Sequence, residues 1–88
     1  MTKKDKFMKT FENFINLGVE YIGVYVKVPN LEKPELILNP IENANRKLDY
    51  YIKHYDDDMR LNSINSVEIT SVTGVIYLED LEENAVSI

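Results

Sequence analysis

Apolar residues in the first seventeen positions recur at helical spacing. Phe7, Phe11 and Phe14 lie three or four residues apart, which places them on one face of a helix with 3.6 residues per turn. The pattern predicts a helix from about Lys3 to Leu17. Gly18 is placed to end it, because glycine readily takes the left-handed conformation found just after helices.

The next two segments have the pattern of strands. Val19 to Val28 is rich in β-branched and aromatic residues. Alternation puts one apolar set on the predicted core face: Ile22, Val24, Val26 and Val28. It puts Tyr21 and Tyr25 together on the other face. A loop with Pro29 and Pro34 follows, and Glu35 to Leu38 is predicted to return as the antiparallel partner of a hairpin.

Asn39-Pro40-Ile41-Glu42 is typical of a helix start. Asn39 is a favoured N-cap residue, proline suits the first helical position, and an acid three residues after the cap completes a capping box. We expect Asn39→Ala to cost on the order of 1 kcal/mol through loss of this cap. The predicted helix runs to about Asp56 or Met59. An earlier end is the favoured alternative, because the helix dipole disfavours acids at the C-terminal end.

The last apolar segment runs from Ser66 to Leu78 and changes phase near Gly74. It is either one strand with a bulge at Gly74 or two short strands around a turn. Val67 and Ile69 share one face, and the other face holds a second set: Val72, Ile76 and Leu78. Residues 79–88 are expected to fray.

These elements predict a single α+β domain over residues 1–88. Two amphipathic helices pack on one face of a small antiparallel sheet, in the order α-β-β-α-β with a possible sixth element, a further strand. One core should bury residues from three of the elements: Phe11, Phe14, Val24, Leu48 and Ile52. Phe14→Ala should then cost about 3–5 kcal/mol.

Composition narrows the class of protein. The 88 residues include no cysteine, so neither a disulfide framework nor a thiolate metal site is expected. The N-terminus is basic, but the apolar run of a signal peptide does not follow it. The longest apolar-rich stretch, Val19 to Val28, is shorter than the ~20 residues of a membrane span. We therefore expect a cytoplasmic protein that does not bind membranes.

The negative charge of −5 is concentrated in the last third of the chain. Residues 56–88 carry one basic residue, Arg60, against eight acids, whereas residues 1–9 carry four lysines against one acid. Clustered acids favour a partner with a basic surface. The candidate partner-binding acids are Asp56, Asp57, Asp58, Glu79, Asp80, Glu82 and Glu83. Tyr21 and Tyr25 are added as candidates because tyrosine is enriched at protein interfaces. Direct nucleic-acid binding is not expected at a pI near 4.8.

No constellation for catalysis stands out. His54 is the single histidine, and although Asp57 and Asp58 follow three and four residues later, nothing marks a serine as an activated nucleophile. One helix face offers too few ligands for a metal. The three glycines are isolated and form no phosphate loop. We expect no catalytic residue, no cofactor and no metal site.

Three segments give the chain a family resemblance: Glu35-Leu36-Ile37-Leu38-Asn39-Pro40, Lys47-Leu48-Asp49-Tyr50-Tyr51 and Tyr55-Asp56-Asp57. In these the chain resembles small accessory proteins encoded by phages and mobile elements of Gram-positive bacteria, over roughly residues 20–75. The resemblance implies a setting, the bacterial host cell. Small acidic proteins from that setting include anti-CRISPR and other anti-defence inhibitors, which act by binding a host protein. It supplies no catalytic residue.

Three classes of function therefore stay open. The first is an inhibitor or adaptor that binds a host protein, for example by presenting acids to the nucleic-acid channel of an enzyme. The second is a self-associating structural or accessory protein that uses a sheet edge or the tyrosine face. The third is an enzyme or a nucleic-acid binder. Function has to be argued from a site.

Overall fold

The computed structural model describes residues 1–77 and 85–88, which form an antiparallel sheet with two helices. The helices are α1 (Lys3–Leu17) and α2 (Ala44–His54), the latter preceded by a 3₁₀ turn at Ile41–Asn43. The five strands are β1 (Tyr21–Lys27), β2 (Glu35–Pro40), β3 (Arg60–Leu61), β4 (Ile64–Val75) and β5 (Val86–Ser87). The spatial order is β2-β1-β4-β3, and β5 also pairs with β4. The predicted α+β class and element order are confirmed.

Helix α1 has the predicted bounds because both of its ends are capped by local sequence. The Thr2 hydroxyl accepts from the Asp5 N–H at 3.1 Å, and the Asp5 carboxylate accepts from the Thr2 N–H at 3.0 Å. This reciprocal capping box satisfies donors at the helix start. The backbone hydrogen bond from Thr2 is also the main reason that the pKa of Asp5 is lowered. Gly18 ends the helix in the left-handed conformation, with φ 74°, as its position just after Leu17 predicts.

The core lies between the two helices and one face of the sheet. Phe11 and Val24 are fully buried and Leu48 nearly so, while Phe14 and Ile52 pack partly buried against the same cluster. The predicted core is therefore assembled on the predicted faces. Phe7 and Tyr51 meet edge to face at its centre with ring centroids 5.5 Å apart, a favoured aromatic geometry.

The helix start predicted at Asn39 is wrong. Strand β2 continues through Asn39 to Pro40, and α2 begins at Ala44 without a side-chain cap. Asn39 is fully buried, and its amide donates to the Ile22 carbonyl at 3.0 Å. Local sequence favoured a cap, but pairing with β1 and a buried hydrogen-bond partner stabilise the extended backbone instead.

Helix α2 ends at His54, before the acid run and before both Asp56 and Met59, as the favoured alternative of an earlier end predicts. A single strand, β4, follows β3 and continues to Val75. Its irregular pairing lies at Thr70, where β1 steps from Tyr25 to Val26, and the bulge considered at Gly74 is therefore misplaced.

Gly74 interrupts the apolar pattern for a packing reason. A Cβ atom there would lie 2.7 Å from Cγ and 2.8 Å from Cε1 of Phe14, so the ring of α1 occupies the space of a side chain. Ile76 follows the end of β4 and is exposed, so it does not share a strand face with Val72. Leu78 and the fraying predicted for residues 79–84 lie outside the described residues, whereas Val86–Ser87 pair with β4.

Candidate functional site

One face of the sheet carries the two candidate tyrosines and no described helix. On β1, Ile22, Val24 and Val26 face the helices, so the alternate residues face away from them. The antiparallel register places β2 residues of the same face opposite these. We call this surface the open face, and its residues on β1 and β2 are Tyr21, Gly23, Tyr25, Leu36 and Leu38. The β4 residues of the same face, Thr73 and Val75, are buried. Both tyrosines are half-buried and Leu38 is 38% exposed.

Gly23 allows the side chains of the open face to close over the backbone. A Cβ atom at Gly23 would lie 2.8 Å from Cγ2 of Thr73 and 3.0 Å from Cδ1 of Leu36. The absence of a side chain therefore lets neighbouring strands pack across β1. Gly23 is therefore buried under these side chains, with a partly exposed tyrosine on either side of it along β1. The alternation of β1 predicted this face, but the contribution of Leu36 and Leu38 depends on the register.

Strand β2 forms an edge of the sheet within the part of the chain that the structure describes. The Ile41 N–H donates to the carbonyl of Glu20, the residue before β1, at 3.0 Å. The side-chain amide of Asn39 donates to the Ile22 carbonyl, so that carbonyl is directed at β2 as well. The even-numbered residues of β1 thus direct their backbone groups at β2. By antiparallel alternation, Leu36 and Leu38 direct their own N–H and C=O groups away from β1.

The acid run after α2 has two roles within the turn it forms. The Asp56 carboxylate accepts the backbone N–H groups of Asp58 and Arg60, both at 2.9 Å. Asp56 therefore stabilises the turn in which Met59 adopts φ 58°. Asp57 and Asp58 are exposed and available to a partner. In the sequence this run stands out by its charge alone, but an Asp that accepts from the N–H groups just after it is also a turn residue.

Lysines of α1 lie beside the same turn. The Lys4 ammonium donates to the Tyr55 carbonyl at 2.6 Å, and the Lys4 N–H donates to the Asp57 carbonyl at 3.1 Å. Lys3 forms an ion pair with Glu68 at 3.5 Å. These cations offset part of the negative field of the acids. The remaining candidate acids are outside the described residues: Glu79, Asp80, Glu82 and Glu83.

His54 lies against an aromatic ring at the end of α2. Its ring centroid is 4.6 Å from that of Tyr50, and the side chain is exposed. Because α2 ends here, Asp57 and Asp58 do not continue its helical face. Among residues 1–77 and 85–88, no group of three or more histidine or carboxylate side chains is arranged to hold a metal ion.

A groove of about 250 Å³ lies between α1 and α2. Ile15 and Leu48 line it together with exposed polar side chains, of which Glu12 is the ionisable one. Sites for small ligands usually enclose about 300–1,000 Å³ and present convergent polar groups. The groove is smaller than this range.

A buried polar pair links the sheet to α2. The side-chain Nδ2 of Asn39 lies 3.4 Å from the Tyr51 hydroxyl, and that hydroxyl lies 3.5 Å from the side-chain Oδ1 of Asn39. Burial is the main cause of a raised pKa for Tyr51, with the Asn39 hydrogen bond acting in the opposite direction. Both groups are enclosed by the core, so the pair holds α2 on the sheet and is not accessible to a substrate.

Neither described helix is long and apolar enough to cross a membrane. A comparison with models of protein families gives no match to this chain. Comparisons with curated proteins and with solved structures give no match either.

Proposed function

We propose that the chain is a non-catalytic protein that binds a host protein in the bacterial cytoplasm through the open face and inhibits or modulates it. The observation that carries the proposal is the open face itself. Tyr21 and Tyr25 stand half-buried beside Leu36 and Leu38 on a sheet surface with no described helix over it. Partly exposed tyrosine side chains grouped beside leucine favour a protein interaction site, because tyrosine is enriched at interfaces.

The residue types support a protein partner. Tyrosine offers a large contact area with few rotatable bonds and a hydroxyl that can hydrogen-bond in a partly polar interface. Leu38 has apolar surface still to bury. The side chains are also held in place, because Leu36 packs across Gly23. Such preorganisation lowers the entropy cost of binding.

The acids add the expected chemistry of the partner. Asp57 and Asp58 are exposed at one turn, and the net charge of the chain is −5. A negative protein is attracted to a basic surface, which raises the association rate more than the final affinity. A nucleic-acid-binding enzyme has such a surface. The resemblance to phage accessory proteins implies an inhibitor that binds a host protein, and the acids add blocking of a basic nucleic-acid channel as the mode of inhibition.

The proposal is tested by capture from a Gram-positive lysate with three forms of the immobilised chain. These are the wild type, the double variant Tyr21→Ser/Tyr25→Ser, and the control Tyr50→Ser. Tyr50 is 46% exposed on α2, so the control removes a tyrosine from outside the open face. Far-UV circular dichroism checks that all three are folded.

A protein retained by the wild type and by Tyr50→Ser, but lost by the double variant, supports the proposal. Equal capture by all three forms contradicts it. With a captured partner in hand, Asp57→Asn/Asp58→Asn should slow association at low salt, while Glu32→Gln/Glu42→Gln, which removes two exposed acids elsewhere, should slow it less. Equal rates in both variants would exclude a specific role for the turn.

A further inference from the structure

We propose that two copies of this chain associate through the β2 edge, with the strands antiparallel and a two-fold axis at Ile37. The partner is thus a second copy of the chain. Pairing uses the backbone of β2, places Leu36 and Leu38 of the open face beside those of the other copy, and leaves Tyr21 and Tyr25 on β1 outside the contact. The inference goes beyond the host partner proposed above, because either can hold without the other.

The β2 edge offers unpaired backbone groups beside exposed apolar side chains. The N–H and C=O groups of Leu36 and Leu38 point away from β1, as follows from the β1–β2 register and from the backbone hydrogen bond of Ile41 to Glu20, the residue before β1. Ile37 on the helix side of the sheet is 37% exposed and Leu38 on the open face is 38% exposed. An apolar edge strand of this kind is a template for another strand.

The sequence of the edge is symmetric about Ile37. It reads Pro34-Glu35-Leu36-Ile37-Leu38-Asn39-Pro40, with a proline, a polar residue and a leucine at equal distances on either side. A two-fold interface brings the same patch of both copies together, so a self-complementary segment is what it requires. In the symmetric register Ile37 lies opposite Ile37 and Leu36 lies opposite Leu38. Apolar side chains are therefore opposite apolar side chains on both faces.

The prolines select this register over its neighbours. With the axis at Ile37, both N–H and both C=O groups of Leu36 and Leu38 find partners, and Pro34 lies opposite Pro40 beyond the ladder. With the axis at Leu38, the Leu36 carbonyl meets Pro40, which has no N–H. With the axis at Leu36, the Leu38 carbonyl meets Pro34 in the same way. Only the symmetric register satisfies all these groups.

Charge placement is compatible with the same register. Glu35 is the one charged residue of the β2 segment Glu35–Pro40, and it lies opposite Asn39 of the other copy. The two Glu35 residues are then four positions apart along the ladder, roughly 13 Å at the rise of an antiparallel strand. That separation exceeds the Debye length of about 10 Å at 0.1 M salt, so their repulsion is largely screened.

Sedimentation equilibrium of the full chain from about 10 μM to 1 mM tests the inference. We expect a monomer–dimer equilibrium in the wild type. Ile37→Lys should raise the dimer dissociation constant at least about tenfold, because it places like charges opposite each other. Ile64→Lys, at an exposed isoleucine of β4, is the matched control and should leave the equilibrium unchanged.

Cysteine cross-linking tests the register and does not depend on the lysine variant. The chain has no cysteine of its own. Opposed residues in a non-hydrogen-bonded pair have Cα atoms about 4.5 Å apart, within disulfide reach. Ile37→Cys should therefore form a disulfide-linked dimer on oxidation much faster than Ile64→Cys. A wild type that stays monomeric at 1 mM overturns the inference, and so does a dimer in which Ile37→Cys links no faster than Ile64→Cys.

Discussion

Asn39 provides the sharpest test of how this fold is held together, because two interpretations of it predict opposite results. Asp is about as good an N-cap as Asn, so Asn39→Asp would be nearly neutral if Asn39 capped a helix. In the structure the side chain is fully buried and donates to the Ile22 carbonyl at 3.0 Å. A carboxylate has no N–H to donate, and it would lie against the oxygen of that carbonyl.

The expected cost follows from these contacts. An unpaired charge left in a protein interior costs about 3–5 kcal/mol, a large share of the roughly 5–15 kcal/mol that stabilises a typical domain. We expect Asn39→Asp to lose at least ~3 kcal/mol at pH 7. Asn39→Ala should lose about 2–3 kcal/mol, because it leaves the Tyr51 hydroxyl without its partner.

The pH dependence separates a buried charge from a simple loss of packing. Burial raises the pKa of the introduced carboxyl in the folded protein above its unfolded value of about 3.9. Its protonated form is therefore favoured by folding. That contribution is fully present below about pH 3.9 and is lost as pH rises through the folded pKa. Relative to the wild type at the same pH, the variant should be least impaired near pH 4 and most impaired at pH 7.

Urea unfolding followed by far-UV circular dichroism, at pH 4.5 and pH 7, measures these differences. Asn43→Asp is the matched control, because Asn43 precedes α2 and its side-chain oxygen already accepts from Arg46 at 3.0 Å. It should be neutral or slightly stabilising near the positive end of the helix dipole. If Asn39→Asp lies within about 0.5 kcal/mol of the wild type at pH 7, the buried role of Asn39 is refuted.

Three further predictions concern packing, ionisation and capping. Gly74→Ala should lose about 1–3 kcal/mol in urea unfolding, because the added methyl group meets the Phe14 ring; an unchanged midpoint would show that the ring moves aside without cost. Burial raises the pKa of Tyr51 and of Tyr55 in the folded protein. Their contribution to the free energy of unfolding should therefore be fully present below the unfolded pKa of about 10 and be lost as pH rises through the folded pKa values. Melting curves should show a shallower decline in Tyr51→Phe than in the exposed control Tyr50→Phe, and equal slopes would contradict the assignment. Thr2→Ala should lose about 1 kcal/mol of stability in urea unfolding through the capping box, and a loss near zero would mean that the N-terminus of α1 frays in solution.

Local sequence was sufficient for α1. Its apolar positions at helical spacing, Thr2 and Asp5 at one end and Gly18 at the other act over three or four residues, and the structure retains each of them. The faces of β1 were likewise determined by alternation, because side chains point to opposite sides of any strand. These features of the core and of the open face need no knowledge of the distant chain.

Asn39 and Gly74 could not be interpreted from their neighbours. Asn39 is as good a cap as it is a buried donor, and only the position of the Ile22 carbonyl and of Tyr51 decides between the two roles. The phase change near Gly74 suggested a bulge, but the residue makes room for a phenyl ring sixty positions away in sequence. In both cases the deciding atom belongs to another element.

The class of the fold, the amphipathic faces of both helices and the placement of Tyr21 and Tyr25 on one side of a strand follow from local sequence. Helical and strand periodicities are local properties of the backbone. The end of β2 and the identity of the edge strand depend instead on contacts between elements. Asn39 remains in β2 because its buried side chain bonds to the Ile22 carbonyl of β1 and lies against the Tyr51 hydroxyl of α2. No pattern in the neighbouring residues specifies the positions of those two partners, which are set only when the helices pack on the sheet.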